Sequence, residues 1–181
     1  MSAGSLPFGL QLRAARPSDA SELGDFAASI FRETFGHSAP EHDVRRFLDE
    51  HYGHRQQLAE ITDPEMLTRL AIDGAAIAAF YQLRRPPPGE RHAEAPAAEI
   101  ARFYVGTAWH GRGVATPLMN AALADARAAG ARRVWLGVWE ENARGIAFYR
   151  RCGFEAAGHQ VFLLGSVPQR DLVMARSVPG S

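Results

Sequence analysis

The stretch HGRGVATPLMNAALADARAAG, His110 to Gly130, constrains this chain more than any other. Two glycines flank an arginine just before a long alanine-rich run with apolar residues at helical spacing, so a glycine turn feeds directly into a helix. The first backbone N–H groups of a helix have no partner within it and carry the positive end of its dipole. Glycine lets a bulky group approach the main chain. Together these make a seat for a phosphate.

Known phosphate seats can be compared with this one residue by residue. A Walker loop needs Gly-Lys followed by Ser or Thr, and all twenty basic residues of this chain are arginine. A dinucleotide fingerprint needs a third Gly or Ala where Thr116 stands, although Glu140 and Glu141 would serve as its acidic residue. Pro117 costs little if it lies within the first helical turn, where its missing N–H has no partner to lose. Gly130 suits the helix C-terminus.

The flanking pattern is that of a mixed α/β chain. A strand in GLQLRAA meets Pro17-Ser18-Asp19, where Ser18 or Asp19 is placed to cap a helix that carries Leu23, Phe26, Ile30 and Phe31 on one face. A second helix is expected from Glu41 to about His51, with Val44, Phe47 and Leu48 inward, and a short third from Gln56 to Ile61. Asp73-Gly74 between MLTRLAI and AAIAAFYQLRR reads as a hairpin turn. PPPGERHAEAP is an exposed connection, because proline cannot join a ladder. The strand AAEIARFYV precedes the glycine turn. RRVWLGVWE, a short helix from Asn142 to Gly153, and two C-terminal strands complete the order.

At 181 residues, 46% hydrophobic and 22% charged, the chain is expected to form one domain over residues 1–181, with an ordered core from about 10 to 176. With no apolar run near ~20 residues and no signal-like start, a cytoplasmic protein without membrane contact is expected. A lone cysteine, Cys152, excludes an intrachain disulfide. Net charge is zero, yet residues 17–65 hold eleven acidic residues against four arginines, so a cationic partner would find its complement there. The arginines form no single run, and nucleic-acid binding has no support. His37, His42, His51 and His54 follow no metal-ligand spacing, and no metal is expected.

YVGTAWHGRGVATPLM followed by NARGIAFYRRCGFEAAG resembles the two signature blocks of the GNAT superfamily of acyl-CoA-dependent N-acyltransferases. The first block usually opens with Gln or Arg, and here His110 holds that place, followed by Gly111, Arg112, Gly113, Val114, Ala115 and Thr116. The resemblance implies a mostly antiparallel central sheet of six to seven strands flanked by helices and splayed between the fourth and fifth strands. It implies acetyl-CoA as co-substrate, with the N–H groups from Arg112 to Thr116 around its pyrophosphate and His110 adding a side-chain N–H. Main chain from Tyr104 through Val105 to Gly106 would serve the pantetheine and the acyl carbonyl. Asn142 would bind the cofactor arm, unless it only caps its helix.

The same resemblance implies roles in chemistry. Tyr149, seven residues after Asn142 on one helical face, matches the tyrosine that protonates the leaving sulfur, while its alternative is core packing on Phe154. Glu99, eleven residues before His110, matches the position of a glutamate base in many members, and strand alternation places it on the face of Ala101 and Phe103. Its alternative is an ordinary ion pair with Arg102 or another arginine. Cys152, at a helix end, reads as packing rather than as an acyl-enzyme nucleophile. Arg144, Arg150 and Arg151 are positioned for adenosine phosphates or for solvent.

In this family the first helices line the acceptor side. IFRETFGH followed by PEHDVRRFLDEHY is similar, more weakly, to the PaiA-type polyamine acetyltransferases, which implies a small cationic amine as acceptor. Phe31, Phe35, His37 and Tyr52 would wall its alkyl chain and Trp139 would offer a cation–π face, if they are not simply core. Two other readings stay open, a protein or peptide N-terminal acetyltransferase and a silent acyl-CoA-binding module. Exposed C-terminal strand edges make a homodimer an expectation.

Overall fold

The computed structural model describes residues 6–87 and 95–178; the middle of the proline-rich connection lies outside them. A short strand β1 (Gln11–Ala14) is followed by helices α1 (Ala20–Phe35), α2 (Glu41–Tyr52) and α3 (His54–Thr62). Strands β2 (Met66–Asp73), β3 (Ala76–Arg84) and β4 (Ala97–Val105) come next, then α4 (Ala115–Ala128), β5 (Arg133–Trp139), α5 (Ala143–Arg151), β6 (Glu155–Leu164) and β7 (Val167–Ser177). They form one seven-stranded sheet in the order β1-β2-β3-β4-β5-β7-β6. All neighbours are antiparallel except β4 and β5. No described helix is long and apolar enough to cross a membrane.

The sheet is splayed where the resemblance placed it. Ladder pairs between β4 and β5 run only from Ala97–Arg133 to Glu99–Trp135, and beyond Glu99 the two strands part. Each face carries its own core. Helix α4 lays Leu118, Met119, Ala122 and Ala126 against Tyr81, Leu83, Ile100 and Leu136, where alanine's small size suits a helix pressed close to a sheet. On the other face Leu23, Ala27 and Phe31 of α1 and Val44, Phe47 and Leu48 of α2 cover Leu70, Phe80 and Leu164. Phe26 and Ile30, expected on the inner face of α1, are half-buried at its flank because Ala27 and Gly24 take the tightest positions.

Local signals behave as their chemistry dictates. The β2–β3 hairpin turns at Gly74, and Gly130 and Gly153 end α4 and α5 with paired backbone bonds that reach back three and five residues, Gly130 to Arg127 with Ala131 to Ala126, and Gly153 to Arg150 with Phe154 to Tyr149. Asp19 holds the N-cap position of α1 without capping it. Its carboxylate instead accepts from the Arg16 N–H (2.6 Å) and pairs with Arg13 (2.6 Å), and the Arg13 hydrogen bond holds its pKa below the ordinary value.

One irregularity decides the geometry of the site. In β3–β4 pairing, Leu83 faces Ile100 but Gln82 faces Arg102, so Ala101 is an extra residue in β4. Such a bulge reverses the alternation that follows it. Ala98 and Ile100 belong to the α4 face before it, and Phe103 and Val105 to that same face after it. Glu99, Arg102 and Tyr104 therefore share the opposite face, under α1–α3. The expectation that Glu99 and Phe103 share a face fails for this reason.

Candidate active site

A cleft of about 1000 Å3 runs through the splay and connects the glycine turn with the face under α1 and α2. At one end lies the start of α4. Gly111 and Gly113 adopt φ +74° and +78°, and a Cβ on either would project into open space. Only glycine holds this backbone without strain. No acidic residue stands in the first turn, no side chain caps the helix, and Pro117 lies in that turn. The first N–H bonded within the helix is that of Leu118, to Val114 O, which leaves the N–H groups of Gly113, Val114, Ala115 and Thr116 without a backbone acceptor among the described residues. This donor set fits a pyrophosphate.

Two residues of the expected cradle do other work. The Arg112 N–H closes a turn onto Trp109 O (3.3 Å), and its guanidinium lies over the Trp109 ring (5.5 Å). His110 Nε2 donates to Val105 O (2.8 Å) while Nδ1 accepts from Arg144 (3.1 Å). That pairing fixes the neutral tautomer with its proton on Nε2. The ring offers no N–H to a phosphate; it ties the glycine turn to the end of β4 and to α5.

The main chain at the splay is sorted by the ladder. Gly106 N–H donates to Ala78 O (2.9 Å), so alternation turns the main chain of Tyr104 toward β3 as well, and the N–H groups of Phe103 and Val105 toward the gap. Of the three residues expected to serve the carbonyl, Val105 keeps that option. Phe103 was missed because the sequence gives no sign of the bulge that sets its direction. The Tyr104 hydroxyl instead meets that of Tyr52 (2.8 Å), and burial raises both pKa values.

Tyr149 packs its ring on Phe103, Phe148 and Phe154 at 5.4–6.4 Å. Its hydroxyl has no hydrogen-bond partner among the described residues. Because no buried side-chain oxygen or nitrogen of the described residues is left unpaired, that hydroxyl opens on the cleft. Burial of the ring, with a smaller contribution from Cys152, raises its pKa. Core packing and a phenol aimed at the cleft are thus both realised. Asn142 Oδ1 caps α5 at Gly145 N (2.9 Å), while the residue also lines the cleft. Burial raises the Cys152 thiol, and its carbonyl accepts from Arg176 at the end of α5.

Beyond the gap the cleft is walled by aromatic and carboxylate groups. Glu99 pairs with Arg84 (3.2 Å), not with Arg102; burial raises its pKa, and the charges of Arg84 and Arg102 hold it back. Arg102 is committed to Glu60 and Gln82 and lies over the Tyr52 ring (4.9 Å). Phe31 stacks on Phe47 (4.9 Å) and is 3% exposed, so it is chiefly core with an edge on the cleft. Phe35 and His37 cover Trp139, which is left 8% exposed with little open face for a cation. His37 itself is exposed and does not line the cleft.

The acidic segment does not face an incoming amine. Of its eleven acids only Glu60 lines the cleft, where Arg102 neutralises it; Glu41 pairs with Arg32, and Asp43 with Arg46 and Ser166. The cleft's other carboxylates are Glu99 and Asp171. Among the described residues no group of three His, Cys, Asp or Glu side chains could hold a metal ion.

The acetyltransferase (GNAT) family model matches residues 25–154, which span the splay, the glycine turn and α5. The chain belongs to this family. It is thereby an acyl-CoA-dependent N-acyltransferase, and the free amides of the cradle fit acetyl-CoA as co-substrate. An uncharacterized N-acetyltransferase of Mycobacterium tuberculosis is 33% identical over 162 residues, 89% of this chain and 99% of its own. The crystal structure of the PaiA N-acetyltransferase of Thermoplasma acidophilum in complex with coenzyme A superposes with TM-score 0.78 at 20% identity, over 93% of this chain and 99% of that one. A chimera of the Vibrio cholerae spermidine N-acetyltransferase SpeG with hSSAT superposes with TM-score 0.64 at 20% identity, over 93% and 94% of the two GNAT chains.

Proposed function

We propose that this chain transfers an acetyl group from acetyl-CoA to a primary amine of a small cationic, polyamine-like acceptor by direct attack. The observation that carries the reading is the continuous cleft, which joins an anion cradle at one end to a face bearing two carboxylates, Glu99 and Asp171, at the other. Acetyl-CoA supplies an acyl group activated as a thioester. The N–H groups of Gly113 to Thr116 bind its pyrophosphate, and the side-chain NH2 of Asn142, whose Oδ1 caps α5, donates to the pantetheine arm.

The remaining roles follow from the needs of acyl transfer to nitrogen. Glu99 accepts the proton of the incoming ammonium, directly or through water, and burial raises its pKa in the direction that makes it a stronger base. The N–H groups of Val105 and Phe103 donate to the carbonyl oxygen as charge develops on it. Tyr149 returns a proton to the departing sulfur. Burial holds the Tyr149 phenol above its ordinary ~10, so it keeps its proton until the thiolate forms against it in the same water-poor cleft, where burial also raises the sulfur above its ordinary ~8.5 and favours its protonation. Cys152, held as a thiol by burial, takes no acyl group.

The name of the SpeG neighbour, a spermidine N-acetyltransferase, supports a polyamine-like acceptor. The test is thiol release from acetyl-CoA with spermidine, 1,4-diaminobutane, amino acids and short peptides offered in parallel. Turnover with the polyamines alone is expected. Turnover with peptides or amino acids alone would overturn the acceptor assignment.

A further inference from the structure

Among the carboxylates of the cleft, one has no cation. Glu60 is bound by Arg102, and Glu99 faces Arg84, whereas no described arginine or histidine pairs with Asp171. Asp171 lies on β7 between Trp139 of β5 and Gln160 of β6, its cross-strand neighbours. Among the described residues its polar companion is the Gln160 amide; burial raises its pKa and Gln160 pulls it partly back.

The strand beneath is cleared for it. A Cβ on Gly137 would stand 3.0 Å from Asp171 Oδ2 and 2.6 Å from Gln160 Nε2. The Gln160 contact is closer than a real Cβ tolerates and the Asp171 contact is tighter than most, so a side chain there would push the pair away. Gly137 lies two residues past Trp135, the last β5 residue paired with β4. The carboxylate thus lies over β5 beside the opening of the splay, where the acyl group and the amine must meet. Glu99, the last paired residue of β4, stands on the same face across that opening.

We propose that Asp171 is the anchor for a second positive charge on the acceptor, which makes the preferred acceptor a diamine with one ammonium at Asp171 and the reacting one at Glu99. This rests on the acetyltransferase reading of the same cleft. A half-buried carboxylate without a cation gains most from one that arrives with its own hydrogen-bond donors, and the apolar walls of Phe35, Phe162 and Trp139 strengthen that pairing.

The test compares 1,4-diaminobutane with 1-aminobutane, which differ only in the second ammonium. The wild-type enzyme is expected to favour the diamine by at least about tenfold in kcat/KM. Asp171→Asn, which keeps the shape and the Gln160 contact, is expected to raise KM for the diamine by about tenfold to a hundredfold and to bring the preference near one. Its kcat at saturation falls far less than its kcat/KM. Equal shifts for both amines, or no shift for the diamine, would overturn the assignment. If Asp171→Asn does not fold, the wild-type preference decides: equal turnover of the two amines sinks the anchor while leaving the acetyltransferase intact. Turnover of neither amine, with peptides accepted, would remove the acceptor reading and the anchor with it.

Discussion

Replacing Gly113 with alanine isolates the anion cradle from everything else. Gly113 holds φ +78°, where an alanine costs about 1–2 kcal/mol through its Cβ. If the loop keeps its geometry, that cost falls on folding, and the new methyl projects into the space meant for phosphate oxygens. If the loop relaxes, at least one N–H moves off its mark, and a hydrogen bond to a charged group contributes about 1.5–3 kcal/mol. Either route weakens coenzyme A by about tenfold to a hundredfold at roughly 1.4 kcal/mol per decade. Titration calorimetry with coenzyme A measures it. Gly74→Ala is the control, because Gly74 has φ +59° in the β2–β3 turn, open space around its Cβ, and no part in the cleft. Both variants are expected to melt a few degrees early, but only Gly113→Ala to bind coenzyme A weakly. Affinity within twofold of wild type for Gly113→Ala would refute the cradle.

Glu99→Gln is expected to lower kcat/KM by about 10²–10⁴ and to erase the acidic limb of its pH profile. That limb arises because the protonated carboxyl cannot accept a proton, and burial moves it above the ordinary glutamate range, so activity is lost as pH falls through the raised value. An unchanged limb would remove Glu99 as the base. Tyr149→Phe is expected to cut the single-turnover rate by about 10²–10³ while coenzyme A binds normally by calorimetry; an undiminished rate would end its role as acid. Asp125→Ala removes the acceptor of the Tyr81 hydroxyl (2.7 Å) and the partner of Arg69 (2.9 Å), which tie α4 to β3 and β2. A stability loss of about 1–3 kcal/mol is expected by denaturant titration, and a change below about 0.5 kcal/mol would contradict that account.

Much of the molecule was legible because its signals are local. Period-two runs, the Asp73-Gly74 turn, and helix ends at Gly130 and Gly153 depend on residues within a few positions of one another. So does the cradle, since glycine conformation and unpaired helix amides are settled inside one turn. What stayed hidden depends on partners distant in sequence. The pairing of Glu60 with Arg102 spans 42 residues and neutralises the one acid of that segment that reaches the cleft. The bulge at Ala101 has no compositional mark, yet it decides which face Phe103 takes and which amides meet the carbonyl. His110 looked like a phosphate donor because nothing in the sequence reveals that Val105 O and Arg144 claim its two nitrogens. Asp171 left a fainter trace: Leu172 and Met174 alternate toward the core, so the charged residue falls on the opposite face beside Val173 and Ala175, an unusual place for an unpaired acid.

Direct transfer is the central claim, and following a labelled acetyl group tests it most directly. The protein would be mixed with acetyl-labelled acetyl-CoA and 1,4-diaminobutane, quenched within one turnover, and both the amine and the intact protein weighed by mass spectrometry. The account predicts one labelled acetyl on the amine for each thiol released and none on the protein. Label on the protein at Cys152, or thiol released without acetylated amine, would contradict it.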